Sequence, residues 1–417
     1  PAGERRPLDT PGGREPGVVL AVDQSRPCPR SPVPFRQLDR SRTAPGIVTG
    51  ADGRSDDAVA GRPDGVRGAV LLWAAALASI AVFLFAVQLL GAATEGAAPL
   101  LERVLGRTVV DGASALGLSW LATYGLTNGS VVAALGLSLL DAELLSPPET
   151  FLVIAGSRLG GAAIVLVVGV LDYLQRRDAR TLREGTSLGT LTFLVTFSVY
   201  VPVTVLGAAV LWAFQSALLA ATAGLRGVGP SSSYLDPVMA TVTRTLGPGP
   251  SFVLALAVLF GSLWLFDEVL EHVRTETVRT HLFSHFRHKW TAFAVGLLLT
   301  GATTSVAFSL GVIVPLYNRE FVRREEVVPY VLGANVGTLL DTLVVAFVLD
   351  STVGVALVCL VMGLAALVTL VTLVAYAPYT VLVDAGQDRL LDDRRYLLAF
   401  GVLLVAVPLA LLVLPHR

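Results

Sequence analysis

The sequence predicts an all-α integral membrane protein built from two inverted-topology repeats with re-entrant or broken helices. Three observations predict it. The 417 residues are 53% hydrophobic with mean hydropathy +0.69, and about seven windows reach the roughly 20 apolar residues needed to span a bilayer. Two stretches, one in each half, carry matched glycines and polar side chains inside apolar runs. The arginines outside the N-terminal tail fall in alternate loops.

The stronger of the two stretches is 331–349, VLGANVGTLLDTLVVAFVL. It is apolar enough for a bilayer yet holds Asn335, Thr338, Asp341 and Thr342. An aspartate at that depth costs about 2.5–3.5 kcal/mol on insertion scales, so it is expected to serve a function. Gly333 and Gly337 share one helical face, where another backbone or an ion can come close. Residues 154–171, IAGSRLGGAAIVLVVGVL, are a weaker copy, with Gly156 and Gly160 aligned on Gly333 and Gly337. Before each copy, Ser130-Val131 and Gly136 match Ser305-Val306 and Gly311, with a two-residue slip in register that a loop absorbs. Polar, glycine-interrupted membrane segments repeated in both halves are the sequence sign of a transport site.

In chain order, residues 1–67 are rich in Pro, Gly, Arg and Asp, so they are expected to be a disordered tail, and they lack the apolar core of a signal peptide. Repeat 1 occupies 68–225. Its spans are 69–93, a broken segment at 116–140 interrupted by Gly125, Thr127, Asn128, Gly129 and Ser130, then 151–174, and a run at 188–225 kinked at Pro202. Between the first two, 94–112 is a loop with an amphipathic piece. A Gly, Pro and Ser rich linker covers 226–250. Repeat 2, at 251–417, holds a span at 251–269, a second broken segment at 291–316, the 331–349 stretch, and spans at 352–376 and 396–414 separated by the loop 377–395.

Composition narrows the function. A net charge of −1 argues against a nucleic-acid partner and leaves membrane lipid as the surroundings. Cys28 and Cys359 give no disulfide framework. Lys289 is the sole lysine, a bias expected of a GC-rich prokaryotic genome. His281, His285 and His288 fall on one helical face within 272–288, with His272 just before. That pattern suits an amphipathic surface helix, or a metal site.

Arginine placement sets the orientation. The loops at 175–187, 271–290, 317–328 and 377–395 are basic and are placed in the cytoplasm. The tail is then cytoplasmic too, in a multi-pass protein of the prokaryotic plasma membrane. The two broken segments enter from opposite faces, which is the inverted symmetry of many secondary transporters.

On Gly333-Ala334-Asn335-Val336-Gly337-Thr338 the chain resembles the type II sodium/phosphate cotransporter family. Each inverted repeat of that family pairs a Gln-Ser-Ser-Ser-type segment with a Gly-Ala-Asn-Ile-Gly-Thr-type helix. Gly156-Ser157-Arg158-Leu159-Gly160-Gly161 is a degenerate first copy. Around Thr300-Gly301-Ala302-Thr303-Thr304 the glutamine position falls on Leu298, and Thr127-Asn128-Gly129-Ser130 also lacks a glutamine. The resemblance covers roughly residues 113–350. It implies a secondary active transporter, not an enzyme, that takes up inorganic phosphate or a similar anion with the sodium ion as co-substrate.

Sodium takes oxygen ligands, and Thr304, Ser305, Asn335, Thr338 and Asp341 are the expected set. An anion takes backbone N–H groups, hydroxyls and a guanidinium, and Arg158, Thr127, Asn128, Ser130 and Thr303 are its expected contacts. Arg158 stands where the second copy has Asn335. Its partner is either Asp341, across the repeat interface, or the substrate itself. Moving a divalent phosphate against 100 mV costs about twice 2.3 kcal/mol, so at least two sodium ions must accompany it. Three other readings stand beside this one: a same-fold transporter of a different substrate, a membrane metalloenzyme using the histidine helix, and a scaffold without transport.

Overall fold

The computed structural model describes residues 66–176, 179–223, 235–271, 288–304, 309, 313 and 323–414. Every regular element among them is a helix. Six of these helices are long and apolar enough to cross a membrane: Val70–Thr108, Gly189–Thr222, Pro248–Leu270, Glu325–Val348, Thr352–Val374 and Arg395–Val413. The all-α membrane class therefore holds. Nearly all of the expected tail, 1–67, lies outside the described residues.

Helix α1, Val66–Thr108, runs through 94–108, where a loop was expected. The amphipathic piece there simply continues the first span as one helix. It is followed by α2 (Gly112–Leu126), α3 (Gly129–Asp141), α4 (Pro147–Arg176) and α5 (Ala179–Ala223). Asp111 caps α2, its carboxylate accepting from the Ser114 N–H at 2.8 Å while the Ser114 hydroxyl accepts from the Asp111 N–H at 2.9 Å; this reciprocal pair fixes the helix start. At the other end Thr127 turns left-handed, with φ 53°. Asn128 then starts α3, its side-chain oxygen accepting from the N–H groups of Ser130 and Val131 at 2.9 and 3.2 Å.

Glycine contacts give the directions of these helices. A Cβ on Gly156 would lie 2.7 Å from the Leu116 carbonyl oxygen, and one on Gly160 2.7 Å from that of Trp120, so α4 and α2 run parallel. On the other side Gly129 meets Ser157 and Gly136 meets Val153, so α3 runs antiparallel to α4. Helices α2 and α3 are thus a hairpin with its tip at Thr127-Asn128.

Next come α6 (Asp236–Leu246) and α7 (Pro248–Glu271). The expected linker 226–250 is therefore helical over its second half, and 224–234 lie outside the described residues. Helices α8 (Lys289–Thr303), α9 (Arg324–Gly337) and α10 (Leu339–Val348) then form the second unit. One offset of 177 positions relates it to the first: helix starts 112/289 and 147/324, helix ends 126/303, and left-handed threonines 127/304. The glycine contacts repeat in the same register. Gly333 meets the Phe293 carbonyl and Gly337 that of Leu297, as Gly156 and Gly160 meet Leu116 and Trp120. The two-residue slip expected from Ser130 and Ser305 is therefore not needed. The structure sets Thr127 in register with Thr304.

Three further helices close the described chain: α11 (Thr352–Val374), α12 (Tyr376–Asp392) and α13 (Arg394–Val413). The charged stretch expected as the loop 377–395 is mostly α12. Helix α5 carries Pro202 in its interior and is interrupted at Phe214 (φ −130°). Two other helix-interior prolines free a carbonyl four residues back, and in each case a tyrosine supplies the missing donor. Tyr124 donates to the Leu404 carbonyl, freed by Pro408, at 3.0 Å, and Tyr376 donates to the Glu325 carbonyl, freed by Pro329. At the buried Leu404 such repair is what lets a proline persist away from water. Lys289 donates to the Leu373 carbonyl at 2.7 Å at the end of α11, a favourable place for a cation.

The apolar core draws on α1, α3, α4, α5 and α9 to α11, with Tyr200, Tyr330, Phe151 and Phe193 fully buried. Ser130, at the start of α3, bonds Asp341 early in α10, and Leu137, further along, meets Gly354 just past the end of α10. Helices α3 and α10 therefore run side by side in one direction, and α4 runs against α10.

Candidate functional site

A cavity of about 320 Å³ lies where the two units meet. Thr127, Asn128, Gly129 and Ser130 from the hairpin tip line it, as does Thr304 from the end of α8. Ser157 and Arg158 on α4, Thr192, Thr196 and Tyr200 on α5, Asp267 on α7, and Asn335 and Thr338 at the α9–α10 joint complete the polar part of its wall. Both left-handed threonines thus face one space. A helix that stops at membrane depth leaves backbone groups without helical partners, and such ends are tolerated where they line a cavity.

Arg158 is 7% exposed and Asp341 3%, and they pair at 3.1 Å between Nη2 and Oδ1. The guanidinium also donates through Nη1 to the Thr338 hydroxyl at 3.0 Å, and through Nη2 to the Thr342 hydroxyl. The second carboxylate oxygen of Asp341 accepts from the Ser130 hydroxyl. Of the two partners expected for Arg158, the structure provides the aspartate. A planar fork held on three oxygens of one helical stretch locks α4 onto α10.

Asn335 occupies the position equivalent to Arg158 and is likewise buried, at 8% exposure. Its side-chain oxygen accepts from the Thr196 hydroxyl at 3.0 Å, which directs the amide nitrogen the other way. Tyr200 donates to the Asn335 backbone carbonyl at 2.6 Å, beside the joint at Thr338. Among the described residues, two buried side-chain nitrogens have no hydrogen-bond partner: Arg158 Nε and Asn335 Nδ2. They sit at equivalent positions of the two units, and both residues line the cavity.

The expected site residues divide as follows. Arg158, Thr127, Asn128 and Ser130, expected at the anion, line the cavity, as do Thr304, Asn335 and Thr338, expected at sodium. Thr303 does not: it is buried, and its hydroxyl donates to the Leu299 carbonyl at 2.7 Å. Asp341 stands behind Arg158, outside the wall, with both oxygens engaged. Ser305 lies outside the described residues, as do His272, His281 and His285. His288 is the residue before α8, in extended conformation.

Five polar wall residues, Ser157, Thr192, Thr196, Tyr200 and Asp267, escaped the sequence reading. Thr196 and Tyr200 lie in a long apolar run where a hydroxyl usually signals helix packing, and Ser157 sits inside the degenerate glycine motif. Asp267 falls near the charged end of a span, where a carboxylate is unremarkable. Thr342 was visible beside Asp341 but carried no signal of its role on the guanidinium.

The model of the Na+/Pi-cotransporter family matches residues 258–409. No curated protein and no solved structure matches the chain. The matched region contains α8 to α10 and with them Gly333–Thr338, the motif on which the resemblance rests. Helices α2 to α4 lie before it. Over residues 258–409, the part that holds the second unit, the chain is thus similar to the Na+/Pi-cotransporter family.

Proposed function

We propose that the chain is a secondary transporter of the prokaryotic plasma membrane that couples sodium to the uptake of inorganic phosphate or a similar oxyanion. One observation carries this reading beyond the family match: Arg158 and Asn335, at equivalent positions, both line the cavity, and each keeps a buried side-chain nitrogen, Nε and Nδ2, without a partner. A buried donor left unsatisfied costs about 1–3 kcal/mol. An oxyanion that accepts from both nitrogens recovers that cost and bridges the two units. The hydroxyls of Ser130 and Thr304 and the interrupted backbone at the two threonines supply oxygens for sodium beside it. In this reading the units are inverted copies, supported by the opposite directions of α4 and α10. Rocking one unit against the other would open the cavity to each side in turn.

Reconstituted into liposomes, the protein is expected to take up labelled phosphate down an inward sodium gradient, more strongly with a negative interior, and not when choline replaces sodium. Phosphate uptake indifferent to sodium would contradict the coupling. Sodium-driven uptake of another oxyanion, with phosphate unable to compete, would identify a same-fold transporter of a different substrate.

A further inference from the structure

Besides the anion donors, a convergent set of oxygens lies at and behind the cavity wall. Thr338 Oγ1, Thr342 Oγ1 and Asp341 Oδ1 all point at one cation, and the Ser130 hydroxyl braces the other carboxylate oxygen. One carboxylate with several hydroxyls carries a single negative charge. In a buried place that is the ligand set of a monovalent hard cation. Here the cation is the guanidinium of Arg158, covalently tied to α4.

We infer that Arg158 is a built-in substitute for a coupling sodium ion. The Thr338–Asp341–Thr342 oxygens then hold no sodium in this chain, and one positive charge at the site never leaves with the substrate. The inference deepens the sodium-coupled reading and rests on it for the word coupling. Its physical core, whether these oxygens bind sodium, does not depend on transport. Register gives independent support. Arg158 and Asn335 are equivalent positions, so the charge enters one unit at a place where the other has a neutral amide. The charge also reaches across to the other unit's oxygens rather than to its own.

The test measures thermal unfolding of the purified full chain in detergent, with sodium chloride exchanged for choline chloride at constant ionic strength. Arg158→Ala vacates the oxygens without removing them. That variant is expected to gain a sodium-dependent rise in Tm, roughly 3 °C or more beyond any rise in the wild type. Adding Asp341→Asn to it is expected to abolish the gain. A sodium response in Arg158→Ala no larger than that of the wild type, or a gain that survives Asp341→Asn, overturns the inference. If Arg158→Ala does not fold, the neutral pair Arg158→Gln/Asp341→Asn decides, because it leaves no buried charge. Its sodium response should equal that of the wild type, since no sodium was bound there; loss of the response would show that Asp341 had been a sodium ligand. Absence of phosphate uptake, in contrast, would count against the transport reading and leave these unfolding results standing.

Discussion

Asp341→Asn is expected to destabilise the protein by about 3–5 kcal/mol, because it leaves the Arg158 guanidinium buried without a counter-ion. Arg158→Gln should cost a similar amount for the converse reason. The pair is 7% and 3% exposed, so water does little to screen either stranded charge. Together the two substitutions should cost clearly less than the sum of the singles, since the double variant holds two neutral amides among the hydroxyls of Ser130, Thr338 and Thr342. A double-mutant cycle on unfolding in detergent measures the coupling. Additive losses would mean that the two side chains do not act as a pair.

The second large effect lies at the glycines. Gly333→Ala would drive a Cβ into the Phe293 carbonyl and to 2.8 Å from the Leu297 nitrogen. Those are backbone atoms of α8 and cannot rotate away, so α8 and α9 must separate. Overpacking of this kind costs about 1–3 kcal/mol and occasionally more, and in a membrane the close approach of two helices supplies most of their attraction. The expected outcome is a loss near the top of that range, or a protein that does not purify as a single species. Gly363→Ala, in α11, is the control. A Cβ there meets nothing within 4 Å, and alanine is the better helix former by about 1 kcal/mol. Equal Tm values for the two variants would contradict a close α8–α9 contact at Gly333.

The parts of this fold that were legible in the sequence are those in which a side chain breaks an apolar run. Asn335, Asp341, Gly333 and Gly337 stood out because each is costly or empty at membrane depth, and the same spacing at Gly156 and Gly160 gave the repeat. The arginine at 158 could be located but not paired, since pairing is a property of two distant segments; only the structure sets it on Asp341. The register slip arose from matching Ser130 to Ser305 by residue type. The true marker is backbone conformation, the left-handed threonines at 127 and 304, and threonine gives no warning of it. The charges of α12 do not tell a helix from a loop, because amphipathic surface helices and solvated segments share that composition. Thr196 and Tyr200 were missed because they act on Asn335, whose side-chain oxygen and backbone carbonyl they satisfy.

The central claim is that the hairpin tip and the Arg158–Asn335 donors enclose a water-reachable anion site. Asn128→Cys, in a background without Cys28 and Cys359, places a thiol in the cavity wall. A membrane-impermeant thiol reagent should modify it, and phosphate together with sodium should slow that modification at least several-fold, whereas either alone should do less. A labelling rate that phosphate and sodium leave unchanged, or a thiol that never reacts from either side, would contradict the account.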